Sequence, residues 1–365
     1  MCVSPIQLTR EICGRKYTQW VPCGKCPECI KDKQNEYVIR TVEESRKKGN
    51  PWFITLTYSE DTVSFLYEED ESGEMFNKVT GELVTDDEEN HRVLNNKDIT
   101  NWKKRVRRHI EYHTGKKLDF SYLICGEYGP RTHRPHYHGI LLGLTDDEVK
   151  EFKRDWEKHY GFTCFEKVNI TEIDRVGSYI SKYICKQPLL EEPLVTDGVI
   201  AKPRKITARG FGMPNKKRFD TLKRDVLGEL ADIDPDTLSG KSPKVVEQQL
   251  NRIINNNKKK YKLNGREYKL PGYYWKKFTY IKDAFTRKDR GTLLSKLVSR
   301  SLQNRVQKNF TDELIRVAAN YNMAEDDQAR IKASKIVCAS EKTQRQERAE
   351  IIIKTNIQSL RKSKF

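Results

Sequence analysis

Residues 125–143 of the chain read CGEYGPRTHRPHYHGILLG. The apolar and aromatic residues of 119–127 and of 136–144 are typical of strands. The residues YGPRTHRP between them contain Gly, Pro and Thr, which favour a turn. The sequence therefore predicts two strands joined by an eight-residue turn, and the rest of the fold is organised around them.

Two further strands flank this pair. WFITLTY (52–58) is a short apolar run between Pro51 and Ser59, which is typical of a buried strand. FTCFEKVNI (162–170) predicts the fourth strand.

Helices are predicted between and after the strands. Residues 98–113 carry apolar side chains on one face, and Asp98 is the expected N-cap. Thr145 and Glu148 form a capping-box pattern that opens a second helix. Residues 177–186 predict a third.

The order β-α-β-β-α-β, followed by α, predicts an α+β fold with a central antiparallel sheet in the split βαβ (ferredoxin-like, RRM-like) arrangement. A Cys-rich leader with a helix at 28–48 precedes it, and a mostly helical charged region ends the chain. The predicted segments are the leader (1–50), a core domain (51–190) with an acidic insertion (60–97), a basic extension (191–290) and the helical region (291–365).

The composition excludes several classes of protein. The chain has 365 residues, of which 33% are charged, and its net charge is +17. Its apolar runs are much shorter than the roughly 20 residues that a membrane span needs, and MCVSPIQLTR has no apolar signal-peptide core. The sequence predicts neither a membrane protein nor a secreted one.

The charge is unevenly distributed. Residues 60–91 hold twelve acidic residues and one basic residue, so the remainder is more basic than the total indicates. A strongly basic surface favours phosphate backbones. We expect the acidic stretch to point away from any bound nucleic acid.

His136 and His138 are separated by one residue within a predicted strand. Residues i and i+2 of a strand point to the same side, roughly 7 Å apart, so the two imidazoles can share one metal ion. If the strands form a hairpin, Glu127 lies opposite His136 as a third ligand. This ligand set suits Mg²⁺ or Mn²⁺, and the imidazoles favour Mn²⁺. The alternative is a pair of solvent-facing histidines.

Tyr179 and Tyr183 are four residues apart, so they share one face of the predicted helix, with Lys182 between them. A phenol with a pKa near 10 is a poor nucleophile by itself. A metal that polarises the attacked phosphate and a nearby ammonium can make its attack feasible. Together with the histidines, the tyrosines predict attack on a phosphodiester; the alternative is two core aromatics.

FITLTY, then CGEYGPRTHRPHYHGILLG, then YISKYICK resembles the three motifs of the HUH-family endonucleases. The two-tyrosine form is similar to the rolling-circle replication initiators of microviruses and gokushoviruses, which are small single-stranded DNA phages. The match covers residues 50–190. The stretches MCVSP, VPCGKCPEC, ARGFG and LPGYYWKKFTY also resemble pieces of the gokushovirus initiators.

The resemblance implies a role for each motif. His136 and His138 would bind the catalytic metal, Glu127 would be the acidic ligand, and Tyr179 and Tyr183 would be alternating nucleophiles. The implied reaction cuts one DNA strand at an origin, leaves a 5′-phosphotyrosine and a 3′-hydroxyl that primes synthesis, and later closes the released circle.

The implied partners are single-stranded phage origin DNA and the host replication helicase and polymerase, in the cytoplasm of the bacterial host and without a membrane. Two alternatives remain open. One is a plasmid initiator, relaxase or transposase of the same superfamily. The other is a non-catalytic, zinc-containing DNA-binding protein.

Cys23, Cys26 and Cys29 form a C-x-x-C-x-x-C motif whose thiolates can bind one structural Zn²⁺. Tetrahedral zinc needs a fourth ligand. Cys2 is the first choice, because MCVSP resembles the gokushovirus start, and Cys13 is the rival. Free thiols and an iron–sulfur cluster are the alternatives.

Basic segments with nearby aromatics are candidates for DNA contacts. A solvated charged surface is the alternative for each. The predicted DNA-binding residues are Lys103, Lys104, Arg107, Arg131, His133, Arg134, Lys186, Arg204 and Arg209.

Overall fold

The computed structural model divides the chain into two compact units. One joins Met1–Glu36 to Lys216–Phe365, and the other is Tyr37–Asn215. The segment boundaries predicted from the sequence stay a prediction. The structure describes residues 2, 5–12, 15–24, 26–69, 71–77, 81–83, 90–129, 132, 134–186, 204–255, 261–263, 265–282, 286 and 288–320.

The elements are numbered in chain order. The strands are β1 (Ile6–Ile12), β2 (Arg15–Val21), β3 (Trp52–Tyr58), β4 (Ser64–Phe65), β5 (Tyr67–Glu69), β6 (Met75–Asn77), β7 (Arg92–Val93), β8 (Ser121–Tyr128), β9 (Pro135–Leu142), β10 (Gly161–Lys167), β11 (Lys205–Thr207), β12 (Tyr261–Leu263), β13 (Arg266–Tyr268), β14 (Ile281–Lys282) and β15 (Asp289–Arg290). The helices are α1 (Pro27–Lys48), α2 (Asn96–Thr114), α3 (Asp146–His159), α4 (Ile173–Lys186), α5 (Lys216–Leu227), α6 (Pro243–Asn255), α7 (Gly272–Thr279) and α8 (Leu293–Asn320).

A five-stranded sheet forms the centre of the Tyr37–Asn215 unit. Its strand order is β10-β3-β9-β8-β11, and every neighbouring pair is antiparallel. The predicted α+β class with a central antiparallel sheet is confirmed, and the four predicted strands are all present in it. The edge strand β11, which pairs Lys205 with Cys125, was not predicted.

Helices α2 and α3 cover one face of this sheet. Alternate residues of each strand point to that face, so Ile54, Leu56 and Tyr58 of β3 join Trp102 of α2 and Trp156 of α3 in a buried cluster. The Trp102 indole donates a hydrogen bond to the Phe152 carbonyl at 2.8 Å, which satisfies its one polar group inside the core.

Helix α4 packs against the other face, on β8 and β9. Its Ile173 and Ile180 are buried. Gly177 lets α4 come close to α1, because a Cβ there would lie 3.4 Å from both the Thr41 Cβ and the Val38 Cα. The two faces of the sheet therefore carry different helices.

The helix starts depart from the sequence prediction in one place. Asp98 is not the N-cap of α2, because the helix begins two residues earlier and the Asn95 side chain accepts the Lys97 amide hydrogen. Asp98 instead accepts a hydrogen bond from the Tyr58 hydroxyl at 2.9 Å. The capping box of Thr145 and Glu148 at α3 is confirmed.

The acidic insertion contributes short strands of its own rather than strands of the central sheet. Among its described residues, β4 pairs with β7 and β5 pairs with β6, both antiparallel. The β3–α2 connection therefore contains structure that the sequence pattern did not predict.

The other unit contains a β1–β2 hairpin, in which Ile6 pairs with Val21, and a helical part. Helix α8 packs against α6, α7 and β2. Leu250 of α6, Tyr274 of α7 and Leu294 of α8 are buried there. The predicted helical C-terminal region is thus helical over 293–320, and residues 321–365 lie outside the described part of the chain. Within the described ranges, the helices are too short or too polar to cross a membrane.

Gly161, at the start of β10, offers a test of the sheet. Its φ of +145° is rarely adopted by other residues, and a Cβ would clash with the backbone of Ser59 and Thr57. We expect Gly161→Ala to lower the free energy of unfolding by about 2–4 kcal/mol. Gly272→Ala is the matched control, because no atom lies within 4 Å of its Cβ position. Urea denaturation of both variants measures the difference, and equal stabilities would contradict the expectation.

Candidate active site

The pairing of β8 with β9 brings three candidate ligands to one face of the sheet. Glu127 lies directly opposite His136, and Cys125 lies opposite His138. Tyr137, between the two histidines, points to the other face and is fully buried among the core aromatics. The predicted hairpin is present, and the histidines share the side that carries α4.

The three side chains converge. The Oε2 atom of Glu127 lies 3.4 Å from Nε2 of His136 and 3.7 Å from Nε2 of His138. One ligand atom from each residue lies within 4.8 Å of the other two. The Glu127 carboxylate is buried, with 7% of the residue exposed, so it carries its charge where water screens little.

Both imidazoles are oriented by their other nitrogen. Nδ1 of His136 donates to the Arg134 carbonyl at 3.0 Å, because a carbonyl can only accept. Nδ1 of His138 lies 3.1 Å from the Thr55 hydroxyl. A partner at Nδ1 fixes the ring and leaves the Nε2 lone pair directed at Glu127, which is the arrangement common around metal-binding histidines.

Two nitrogens and one carboxylate oxygen aimed at a common point fit a divalent cation such as Mn²⁺ or Mg²⁺. Three protein ligands would leave positions for water or phosphate oxygens. Which cation is bound stays a prediction.

Tyr179 of α4 lies beside this cluster. Its ring centroid is 6.3 Å from that of His138. Phe53 of β3 contacts both rings, edge-on to Tyr179 at 5.5 Å and stacked on His138 at 5.9 Å. The tyrosine ring therefore packs beside the metal-ligand candidates, and Phe53 fixes its distance from them.

Lys182, Tyr183 and Lys186 belong to the same helix, but their side chains lie outside the described residues. Tyr183 follows Tyr179 by four residues, so the helical period puts both on one face of α4. Its part in the site stays a prediction, as does that of Lys182. Arg131 and His133 are likewise outside the described residues.

Arg134 lies next to the histidine strand and is held in place by two contacts. Its Nη2 donates to the Tyr58 carbonyl at 2.8 Å, and its Nη1 lies 3.1 Å from Oε1 of Glu60. Oε2 of Glu60 in turn pairs with Arg92 at 3.1 Å. The first residue of the acidic insertion thus contacts a predicted DNA-binding residue, contrary to the expectation that the acidic stretch points away.

Lys103, Lys104 and Arg107 belong to α2, on the sheet face opposite the histidines. The Lys103 ammonium lies 3.7 Å from the centre of the Tyr122 ring, and Arg107 lies over Phe120. Burial, together with the nearby Arg107 charge, lowers the pKa of Lys103 to about 8. These residues are therefore not next to the candidate metal ligands.

Arg204 and Arg209 flank β11 and are exposed. The Arg204 carbonyl accepts a hydrogen bond from the Gly126 amide at 3.3 Å, so this backbone runs beside the strand that carries Glu127. Of the predicted DNA-binding residues that the structure describes, Arg134 and Arg204 lie closest in register to the candidate ligands.

The predicted zinc ligands Cys2, Cys23, Cys26 and Cys29 also come together, in the other unit. The rival ligand, Cys13, lies outside the described residues.

Sequence reasoning missed three residues of the site: Phe53, Thr55 and Glu60. Phe53 and Thr55 lie within FITLTY, whose alternation gives them one face, but their neighbours became known only from the β3–β9 register, which pairs Thr55 with His138. No signal in the sequence singles out Glu60 from the other acidic residues around it.

Comparison with known proteins identifies the kind of domain that carries this site. Residues 51–188 match a family model whose description is replication-associated protein, of the ORF2 type. The chain resembles phage replication-associated proteins. We therefore refer to residues 51–188 as the replication-associated domain.

Three relatives extend the comparison. Replication-associated protein ORF4 of Chlamydia phage 1 is 29% identical over 34% of this chain and 24% of its own length. Replication-associated protein VP4 of Bdellovibrio phage phiMH2K is 27% identical over 46% of this chain and 48% of its own. Replication-associated protein ORF2 of Spiroplasma virus 4 is 26% identical over 64% of this chain and 68% of its own.

The first two matches thus span about a quarter and about half of those relatives. No solved structure matches the chain. The resemblance to phage rolling-circle initiators that the motifs indicated is confirmed by the family model and the relatives.

The convergence of Glu127, His136 and His138 predicts that the chain binds one Mn²⁺ in the replication-associated domain. We expect His138→Ala and Glu127→Gln to weaken this binding at least about tenfold, since each removes a ligand. Mn²⁺ titration followed by the electron paramagnetic resonance of the free ion measures the affinity.

His109→Ala is the matched control for this titration. His109 also pairs with a carboxylate, Glu151 at 3.3 Å, but it lies on α2, away from the cluster. Equal Mn²⁺ affinity in the unmodified chain and in the His138→Ala, Glu127→Gln double variant would rule out the assignment.

Proposed function

We propose that the chain is the replication initiator of a small circular single-stranded DNA phage, which cuts one strand at the origin and later rejoins it. The observation that carries this proposal is the position of Tyr179 beside His138, at a ring separation of 6.3 Å, where Glu127 and His136 also converge. The resemblance of the replication-associated domain to phage replication-associated proteins supports it.

We further assign the domain to the ferredoxin-like (RRM-like) arrangement of HUH endonucleases. Strands β3, β8, β9 and β10 are the first to fourth of the predicted order, with α2 and α3 as the connecting helices. The spatial order fourth, first, third, second supports the assignment. The acidic insertion and the edge strand β11 are additions to it.

Glu127, His136 and His138 would hold the catalytic Mg²⁺ or Mn²⁺. When bound, such an ion would polarise the scissile phosphate and offset the negative charge that develops on it. The chain's own contribution is to orient the ligands. The Arg134 carbonyl and the Thr55 hydroxyl hold the two imidazoles, and the sheet register holds Glu127 opposite His136.

Tyr179 and Tyr183 are the proposed nucleophiles. The phenolic oxygen attacks the phosphorus, so an O–P bond forms while the bond between phosphorus and the 3′ oxygen of the preceding nucleotide breaks. The phenol releases its proton to solvent, and the departing 3′ oxygen takes up a proton. The products are a 5′-phosphotyrosine and a free 3′-hydroxyl, and the ammonium of Lys182 would favour the phenolate.

The same exchange of oxygens runs in reverse during closure. A 3′-hydroxyl attacks the phosphotyrosine, the tyrosine leaves, and a phosphodiester is restored. The number of phosphoester bonds is conserved, so no nucleotide cofactor is required. Two tyrosines on one helical face allow one to hold the first end while the other cuts the regenerated origin.

Single-stranded origin DNA is the proposed substrate. Arg134, Arg204 and Arg209 are the basic residues, among those predicted and described, that lie nearest the candidate ligands, and they would contact its phosphates. Lys103, Lys104 and Arg107, on the opposite face, would act at most on DNA that passes around the sheet. The host helicase and polymerase would act at the exposed 3′ end, in the cytoplasm of the bacterial host.

Two alternatives make different predictions. A plasmid initiator, relaxase or transposase would share the chemistry, but the three relatives are all phage proteins, which favours the phage interpretation. A non-catalytic zinc-containing DNA-binding protein would bind DNA without ever becoming joined to it.

Covalent capture of DNA tests the proposal. The full chain is incubated with Mn²⁺ and single-stranded oligonucleotides that tile the genome encoding it, each labelled at its 3′ end. Because the tyrosine takes the 5′ phosphate of the downstream fragment, the label should migrate with the protein in a denaturing gel. A 5′ label on the same oligonucleotide should appear on a free, shortened fragment.

Phenylalanine variants assign the roles. We expect the Tyr179→Phe, Tyr183→Phe double variant to lose the adduct, and Tyr112→Phe to retain it, since Tyr112 is 83% exposed on α2. No adduct on any tile, or an undiminished adduct in the double variant, would overturn the proposed chemistry.

The Glu60–Arg134 pair makes a separate prediction about DNA affinity. Glu60→Gln removes the negative charge beside Arg134, so the guanidinium becomes available to phosphate. We expect about threefold tighter binding of single-stranded DNA at low salt, and a smaller effect at high salt. Fluorescence anisotropy measures it, with Asp61→Asn, the exposed neighbour, as control. Equal tightening in both variants would mean that net charge, and not this pair, is responsible.

A further inference from the structure

The four cysteines of the Met1–Glu36 segment form a cluster that the nicking reaction does not use. Their sulfur atoms all lie within 4.8 Å of one another, and the Sγ atoms of Cys2 and Cys26 are 4.0 Å apart. Cys26 and Cys29 are buried, and Cys2 and Cys23 are partly buried. All four are free thiols, so no disulfide accounts for their approach.

Three separate pieces of local structure bring these sulfurs together. Cys2 precedes β1 and Cys23 follows β2, and the hairpin register pairs Ile6 with Val21, so both cysteines lie at the same end of the hairpin. Cys26 and Cys29 bracket the first residues of α1. The C-x-x-C-x-x-C spacing supplies three sulfurs, and the hairpin returns the fourth.

We propose that this cluster is a structural tetrathiolate zinc site with Cys2, Cys23, Cys26 and Cys29 as its ligands. Zn–S bonds of about 2.3 Å in a tetrahedron place neighbouring sulfurs about 3.8 Å apart. The 4.0 Å separation of Cys2 and Cys26, with every other pair inside 4.8 Å, matches one ion at the centre.

Backbone amides are directed at the sulfurs. The Cys23 amide donates to Sγ of Cys2 at 3.2 Å, and the Cys26 amide donates to Sγ of Cys23 at 3.3 Å. Such N–H···S bonds offset the negative charge of a coordinating thiolate, because the positive end of each amide dipole faces it. Each thiol gives up its proton to solvent when the ion binds.

The geometry argues against an iron–sulfur cluster. In a [4Fe–4S] cluster each cysteine binds a different iron, so the four sulfurs lie farther apart than around a single ion. It also argues against chance apolar packing, since two of the four cysteines are only partly buried and their sulfurs accept amide hydrogen bonds.

The site would restrain a region with little other core. The β1–β2 hairpin exposes Ile6 and Leu8, and an isolated two-stranded hairpin is marginal in water. One ion would tie the residue before β1, the residue after β2 and the first turn of α1 into one unit. The proposal is independent of the nicking chemistry, so either can fail alone.

Metal analysis of the full chain, purified without added metal or chelator, is the primary test. We expect about one zinc per chain. A mercurial thiol reagent added to the unmodified protein, with a colorimetric zinc indicator, should release that zinc as four thiols react. Less than about a fifth of a zinc per chain, or iron with acid-labile sulfide instead, would end the proposal.

Two serine variants form a matched pair for the fourth ligand. We expect Cys2→Ser to lose most of the zinc and Cys13→Ser to retain about one ion per chain. Cys164→Ser, at an exposed cysteine of the other unit, should also retain it. If a cysteine variant fails to fold, the mercurial release from the unmodified chain still decides the question. Zinc retained by Cys2→Ser and lost by Cys13→Ser would refute this ligand set.

Discussion

The antiparallel pairing of β8 with β9 sets Glu127 opposite His136 and keeps both histidines on the face that carries α4. A shift of this register by one residue would turn the histidines into the aromatic core and Tyr137 towards α4, because side chains alternate along a strand. Tyr137 opposes such a shift, since its ring is fully buried against Trp156. The packing of the core thus maintains the geometry of the site.

Much of the core domain follows from local sequence patterns. The strand WFITLTY is observed over the residues predicted, and the capping box of Thr145 and Glu148 forms as its spacing indicates. The hairpin brought Glu127 to His136 because its eight-residue turn allowed that pairing. These features depend on residues close in the chain, where propensity and spacing are informative.

Features that depend on distant contacts did not follow from the sequence. Asn95 replaced Asp98 as the helix cap because Tyr58, far away in the chain, offers Asp98 a buried hydroxyl. The edge strand β11 is three residues long and carries no alternation to detect. Phe53 and Glu60 acquire their places beside the site only through tertiary contacts. Patterns give the elements, but partners across the sheet must be observed.

Strand β9 serves two purposes at once, and this divides its residues in evolution. Tyr137 and Leu141 support the buried layer under α2 and α3, whereas His136 and His138 face the proposed catalytic side. Substitutions at the first pair would be selected against through abundance of the folded chain, and those at the second through activity at unchanged abundance. Relatives that drift in sequence should therefore show two kinds of constraint alternating residue by residue along a single strand.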